Sequence, residues 1–156
     1  MGQVALAGGV TKPAPMTVDS DGEWRLSSET LRKAITPKSR VLIVNSPHNP
    51  TGKVFSREEL ETIARVVREE NRNRLPGDEL LVIADEVYKY VCHGDEQHIH
   101  FASLPEMDDI TLTVSSAGKT FSATGWQIGW IVGPRHLIKP CQALLPYLQF
   151  CAPTPM

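Results

Sequence analysis

The sequence predicts an α/β protein with three layers, in which helices cover both faces of a mostly parallel sheet. Four apolar runs of strand length are bounded by turn residues, and a strongly amphipathic helical segment separates the first two. Parallel strands need crossover connections, and helical crossovers are right-handed and pack on the sheet faces. These observations place the chain in the α/β class.

Composition sets limits on the size and the partners of the protein. The chain has 156 residues, of which 41% are hydrophobic and 22% charged, as is typical of one globular domain. Its net charge of -2 gives no electrostatic reason to expect binding to nucleic acid or to an anionic membrane. No apolar run approaches the roughly 20 residues of a membrane span.

The cysteines and the first residues bear on the cellular compartment. The cysteine count of three is odd, and the residues are far apart, as expected of free thiols in a reducing environment. The first residues carry neither the charged region nor the apolar region of a signal peptide. We expect a cytoplasmic protein, and a mitochondrial form of a full-length protein stays open.

The N-terminal part of the chain is predicted to hold little regular structure. Residues 1–24 show no helical period, and Pro13 and Pro15 favour extended backbone. A short helix is predicted over 27–35, with Ser27 or Ser28 as its cap.

The middle of the chain contains the clearest pattern. The apolar run 40–46 predicts a strand that is covered on both faces. Residues 56–72 predict an amphipathic helix that starts with a capping box of Ser56 and Glu59. Its apolar positions recur at helical spacing. They are Leu60, Ile63, Ala64 and Val67. A second buried strand is predicted over 79–85.

The C-terminal part predicts two further strands, over 110–116 and 129–133. The segment 137–149 is helical in character but contains Pro140 and Pro146. An interior proline removes a backbone hydrogen bond and costs a helix about 3 kcal/mol or more.

Polar residues follow three of the predicted strands. Residues 45–52 follow the first strand, residues 85–88 the second, and Lys119 the third. Since parallel strands end at the same edge of a sheet, and ligands bind there, these groups are expected to converge on one site.

Each of these residues also has a structural explanation when it is taken singly. The turn at Asn49 would be a rigid connection, Asp85 would pair with a structural arginine, and Lys119 would extend into solvent. In the functional interpretation the amide of Asn49 donates to a ligand oxygen and Asp85 meets a cationic ligand atom. Tyr88 lies beside the same ligand, and the lysine is a nucleophile.

Three segments together resemble a known family. "NSPHNPTGKVFS", "IADEVY" and "SSAGKTFSATGWQIGW" are similar to segments of the class I/II aminotransferases, which use pyridoxal 5′-phosphate (PLP). More narrowly they resemble the kynurenine aminotransferase and cysteine-S-conjugate β-lyase branch. The resemblance implies that 1–156 is part of the large, PLP-binding domain of the fold type I architecture.

The resemblance implies roles for individual residues around the cofactor ring. Lys119 would bond to the cofactor aldehyde and later shuttle a proton, and Asp85 would pair with the protonated pyridine nitrogen. Asn49 and Tyr88 would hydrogen-bond the phenolic oxygen of the ring.

The phosphate of the cofactor would be held by another pair of residues. Ser116 would donate to it, and Gln127 stands where the family usually has a lysine or arginine. A glutamine donates hydrogen bonds but supplies no charge, so phosphate binding is expected to be weakened.

The implied activity is transfer of an amino group from an L-amino acid (kynurenine-like, glutamine-like or aromatic) to a 2-oxo acid, with β-lyase activity on cysteine S-conjugates as a possible side reaction. A homodimer is implied for the full-length form.

The family's glycine-containing phosphate loop and its C-terminal small domain, with the arginine that binds the substrate carboxylate, are expected to lie outside these residues. The alternative is an inactive fragment that binds PLP weakly or pairs with a full-length relative.

A metal site is not expected from the sequence. Cys92, His93, His98 and His100 are potential ligands, but their spacing fits no familiar zinc pattern and they lie in a polar loop. Glu86 is expected to be a packing or capping residue.

Overall fold

The computed structural model describes residues 2–149, 151 and 152. The chain divides into two compact units between Ser39 and Arg40. Its helices and strands are, in order, α1 Gly2–Leu6, β1 Thr17–Val18, β2 Trp24–Arg25, α2 Ser28–Ala34, β3 Val41–Asn45, α3 Arg57–Asn71, β4 Leu81–Asp85, β5 Thr111–Ser116, α4 Ala117–Thr120, β6 Gly129–Val132 and α5 Arg135–Leu148.

The first unit contains α1, the antiparallel pair β1–β2, and α2. Helix α1 differs from the expectation of extended chain over 1–24. None of its side chains is buried, so the sequence has no apolar period there that would predict a helix. Helix α2 was predicted, and Ser27 is its cap, because its Oγ accepts a hydrogen bond from the Thr30 amide at 3.0 Å.

The second unit contains a four-stranded sheet in the order β3-β4-β5-β6. The first three strands are parallel, and β6 runs antiparallel to β5. Asn45 lies opposite Asp85, which lies opposite Val114 on the next strand. The α/β class and the mostly parallel sheet are confirmed, and four strands are found within one or two residues of their predicted bounds.

Helix α3 forms the crossover between β3 and β4. The predicted capping box is present: Ser56 Oγ accepts from the Glu59 amide at 3.2 Å, and Glu59 Oε2 accepts from the Ser56 amide at 2.8 Å. The predicted apolar stripe is buried, together with Val66. At the other end, the Asn71 side chain donates to the Leu80 carbonyl and accepts from the Leu80 amide, which ties the helix to the start of β4.

The two faces of the sheet are covered unequally. On one face Val44, Val82 and Ala84 are buried. On the other, Val41 is 48% exposed and Ile43 is 55% exposed. The structure therefore differs from the expectation that β3 is covered on both faces. The physical reason is that the β4–β5 connection contains no α-helix, only 3-10 turns at Phe101–Ser103 and Asp108–Ile110.

The last elements lie largely in solvent. All four residues of β6 are exposed, and α5 buries none of its side chains among the described residues. Helix α5 runs through Pro140 and Pro146 without a break. Two tryptophans near and in β6, Trp126 and Trp130, are also exposed. Among the helices described, none is long and apolar enough to cross a bilayer.

Candidate functional site

Three of the predicted site residues meet at one edge of the sheet. Strands β3, β4 and β5 are parallel and end at the same edge, where Asn49, Tyr88 and Lys119 follow them. The Asn49 side chain donates from Nδ2 to the Tyr88 hydroxyl at 3.3 Å. The Lys119 Nζ atom lies 5.7 Å from the centre of the Tyr88 ring. The geometry thus brings an amide, a phenol and an amine together, as the strand order predicted.

The position of Asn49 is fixed by Asn45, a residue with no predicted role. Asn45 Oδ1 accepts the Asn49 amide at 2.9 Å, and its Nδ2 donates to the Asp85 carbonyl at 2.9 Å. The turn closes with a hydrogen bond from the Gly52 amide to the His48 carbonyl at 2.8 Å. Gly52 has φ +73, which glycine adopts without strain. The only sign of Asn45 in the sequence is its place at the end of a strand.

Asp85 is the last residue of β4 and is half-buried. Its Oδ1 atom accepts the Val87 amide at 3.3 Å. Across residues 2–149, no lysine or arginine forms an ion pair with this carboxylate, so the structural arginine that would explain it is not found there. The carboxylate is therefore available for a cation from outside the chain.

Ser116, Lys119 and Gln127 line a cavity of about 270 Å³ beside this cluster. The rest of its wall is formed by Gly118, Thr124, Ile128 and Gly129. A Cβ on Gly118 would lie 3.0 Å from Thr124 Cα, so a larger residue there would push the wall apart. These wall residues were missed, because they contribute small size and backbone rather than recognisable chemistry.

The two predicted phosphate ligands are neutral hydrogen-bonding groups. Ser116 Oγ contacts the Ile128 carbonyl at 3.5 Å. Gln127 is exposed, has φ 52, and donates from Nε2 to the Thr124 carbonyl at 2.8 Å. Lys119 is thus the cation among the residues that line this cavity.

Glu86 lies next to Asp85 but faces a different part of the molecule. Burial raises the pKa of its carboxyl, but hydrogen bonds from His98, the Phe101 amide and His100 more than offset this, so its pKa lies below the usual value. Its Oε1 atom accepts the Phe101 amide at 3.0 Å. The expected packing or capping role of Glu86 agrees with this contact.

Comparisons with known proteins identify the family. The family described as Aminotransferase class I and II matches residues 3–155. Kynurenine–oxoglutarate transaminase of Dictyostelium discoideum is 38% identical, over 99% of this chain and 37% of the relative. Human kynurenine–oxoglutarate transaminase 1 is 41% identical, over 92% of this chain and 33% of the relative.

A solved structure supports the same assignment. The N-succinyldiaminopimelate aminotransferase from Mycobacterium tuberculosis matches with a TM-score of 0.86 and 41% identity, over 96% of this chain and 37% of that one. The chain therefore spans about a third of the length of these relatives. Since the family match runs through every element described above, this chain belongs to the class I and II aminotransferases.

Proposed function

We propose that the chain forms the cofactor-binding part of a PLP-dependent aminotransferase, which transfers an amino group from an L-amino acid to a 2-oxo acid. The observation that carries the proposal is the meeting of Asn49, Tyr88 and Lys119 at the carboxyl edge of the sheet. The names of two relatives support a kynurenine-like donor substrate, and glutamine-like and aromatic amino acids are part of the same proposal. β-Lyase activity on cysteine S-conjugates and a homodimeric full-length form belong to the same proposal.

The residues at this edge fit the ring of PLP. When bound, the cofactor supplies an electron sink that stabilises negative charge on the substrate carbon. The unpaired carboxylate of Asp85 would hold a proton on the pyridine nitrogen. The Tyr88 hydroxyl, which already accepts from Asn49, would hold the phenolic oxygen. The exposed amine of Lys119 would bond to the cofactor aldehyde and carry the proton that moves during transfer.

The cavity beside the ring position fits the phosphate less well. Ser116 and Gln127 both line it, and both offer only neutral donors. Hydrogen bonds to a charged group contribute about 1.5–3 kcal/mol, and a cationic donor adds charge that glutamine lacks. We expect PLP to bind but to be removable by dialysis.

Reduction with borohydride in the presence of PLP tests the assignment of Lys119. We expect mass spectrometry of the digested protein to find a pyridoxyl group on Lys119. Lys119→Arg keeps the positive charge but should abolish the adduct. The matched change Lys139→Arg, at an exposed lysine of α5, should leave the adduct in place. If the wild-type chain carries no adduct on Lys119, the proposal is wrong and the alternative of a non-catalytic fragment is favoured.

Titration of the chain with PLP tests where the phosphate lies. Gln127→Lys should tighten PLP binding about tenfold, because one charge-assisted contact replaces a neutral one, a difference of about 1.4 kcal/mol. Gln142→Lys adds the same charge on α5, outside the cavity, and should leave the affinity unchanged. Equal effects of the two substitutions would show that only net charge matters and would contradict the placement.

A further inference from the structure

A second cluster of polar side chains lies outside the cavity that contains Lys119. Glu86, His98 and His100 each offer one potential metal ligand, and these three atoms lie within 4.8 Å of one another. Glu86 Oε2 is 3.0 Å from His98 Nε2 and also contacts His100 Nδ1. The two imidazole rings are perpendicular, with their centres 4.9 Å apart. We propose that Glu86, His98 and His100 form a binding site for a divalent transition-metal ion such as Zn²⁺.

The geometry suits such an ion. Zinc binds histidine nitrogens and carboxylate oxygens at about 2.0–2.2 Å, so two ligand atoms around a tetrahedral ion lie about 3.3–3.6 Å apart. The separations in the cluster, from a direct contact up to 4.8 Å, bracket that value. An ion can therefore enter with small side-chain rotations. Each imidazole would then carry its proton on the ring nitrogen that faces away from the metal.

His98 is held beside the carboxylate in a buried position. Its side chain is only 7% exposed, and its Nε2 atom lies 3.0 Å from Glu86 Oε2. A buried carboxylate is stable only where cations or donors meet it, and here the two histidines and the Phe101 amide meet Glu86. A metal ion would supply that positive charge directly and bind the same oxygen and the two ring nitrogens.

The surroundings fix the carboxylate and leave a path for the ion. The Glu86 amide donates to the Val114 carbonyl at 3.0 Å, and Oε1 accepts the Phe101 amide at 3.0 Å, so Oε2 is held toward the histidines. Partners of this kind orient metal ligands. His100 is half-exposed and provides the entry side.

A cavity of about 290 Å³ adjoins both histidines, and its wall includes Cys92 and Glu96. The fourth coordination position would open into this cavity and take water or one of these side chains. The bound ion would tie the end of β4 to the segment before the Phe101–Ser103 turn. Its role would be structural, because the ligands do not line the cavity of Lys119. The spacing of the Cys and His residues in the loop gave no sign of this site, because its carboxylate comes from Glu86, the residue directly after β4.

Titration of the 156-residue chain with Zn²⁺, without PLP, tests the proposal by calorimetry. We expect one ion per chain. Cobalt(II) at the same site should give the visible absorption of a tetrahedral complex. His100→Ala should weaken zinc binding about 100-fold, because each ligand of a structural site contributes a few kcal/mol. His100 is half-exposed, so the variant should keep its fold, which circular dichroism would check.

Two further variants make the result decisive. His93→Ala removes an exposed histidine that is not part of the cluster and should leave zinc affinity unchanged. Glu86→Gln keeps an acceptor for the Phe101 amide but should weaken zinc binding as much as His100→Ala does. The proposal is overturned if the wild-type chain binds no zinc at micromolar concentration. It is also overturned if His93→Ala loses as much affinity as His100→Ala.

Discussion

The two faces of the sheet differ, although the same strands build both. On the closed face, Val44, Val82 and Ala84 are buried, and the α3 crossover brings a buried apolar stripe. On the open face, Val41, Ile43 and Ile131 are each close to half exposed. The side chains of the two faces are of the same aliphatic kinds, so residue type alone does not distinguish them.

The difference shows what an apolar strand implies. A run of Val, Ile and Leu predicts that a strand has the capacity to be buried on both faces, not that each face has a covering layer within the same chain. Stability in the described residues should therefore come mainly from the closed face, and substitutions on the two faces should differ by several kcal/mol.

The largest expected effect comes from one pair of isoleucines. Ile63 on α3 is 3% exposed, and Ile43 on the open face is 55% exposed. Ile63→Ala should lower the free energy of unfolding by about 2–5 kcal/mol, since it leaves a cavity in the core. Ile43→Ala should change it by less than about 1 kcal/mol. Urea unfolding measures both values. Similar losses at the two positions would mean that the open face is covered in solution.

A glycine pair tests whether β6, whose side chains are all exposed, is nevertheless held by its backbone. A Cβ on Gly129 would lie 2.8 Å from the Ser115 carbonyl oxygen, whereas a Cβ on Gly125 would meet nothing within 4 Å. Gly129→Ala should therefore destabilise the chain by about 1–3 kcal/mol, and Gly125→Ala by less than about 0.5 kcal/mol. Equal unfolding midpoints for the two variants would indicate that β6 is not paired with β5.

The smallest effect is expected from pH at His48, in the turn that follows β3. Burial lowers the pKa of His48, so the folded chain favours the neutral ring more than the unfolded chain does. The contribution of His48 to stability is therefore fully present above the unfolded value of about 6.5 and is lost as the pH falls from there through the lower pKa of the folded chain. The difference between the unfolding midpoints at pH 7.5 and pH 5.5 should be smaller in His48→Gln than in the wild-type chain. His93→Gln, at an exposed position, serves as the control and should behave like wild type.

The sequence predicted the elements of the sheet unit well because burial leaves a periodic pattern. The stripe on α3 and its capping box are visible in the order of residues. It did not predict α1, whose side chains are all outside the core, or the lack of a helix between β4 and β5. Those features depend on what packs against a segment, and single-sequence patterns do not record it.

The candidate site likewise contains some residues that were predicted from the sequence and others that were not. Asn49, Tyr88 and Lys119 were predicted to converge because parallel strands deliver their carboxyl ends to one edge. Asn45 and the glycines of the cavity wall could not be predicted, since their contribution is made through backbone contacts. The Glu86 cluster was missed for a related reason: Glu86 directly follows β4, the two histidines lie in a later loop, and only the fold brings them together.

The register of the open face has a practical consequence for protein engineering. Val41 and Ile43 lie on the same face of β3 as Asn45. Across the four strands Asn45 lies opposite Asp85, then Val114, then Ile131, so Ile131 is on that face as well. Exchange of these three for threonine would keep the preference for extended backbone while it lowers the apolar area open to water. These three surface changes would therefore lower the tendency of the open face to associate, with the core composition and the Lys119 edge left as they are.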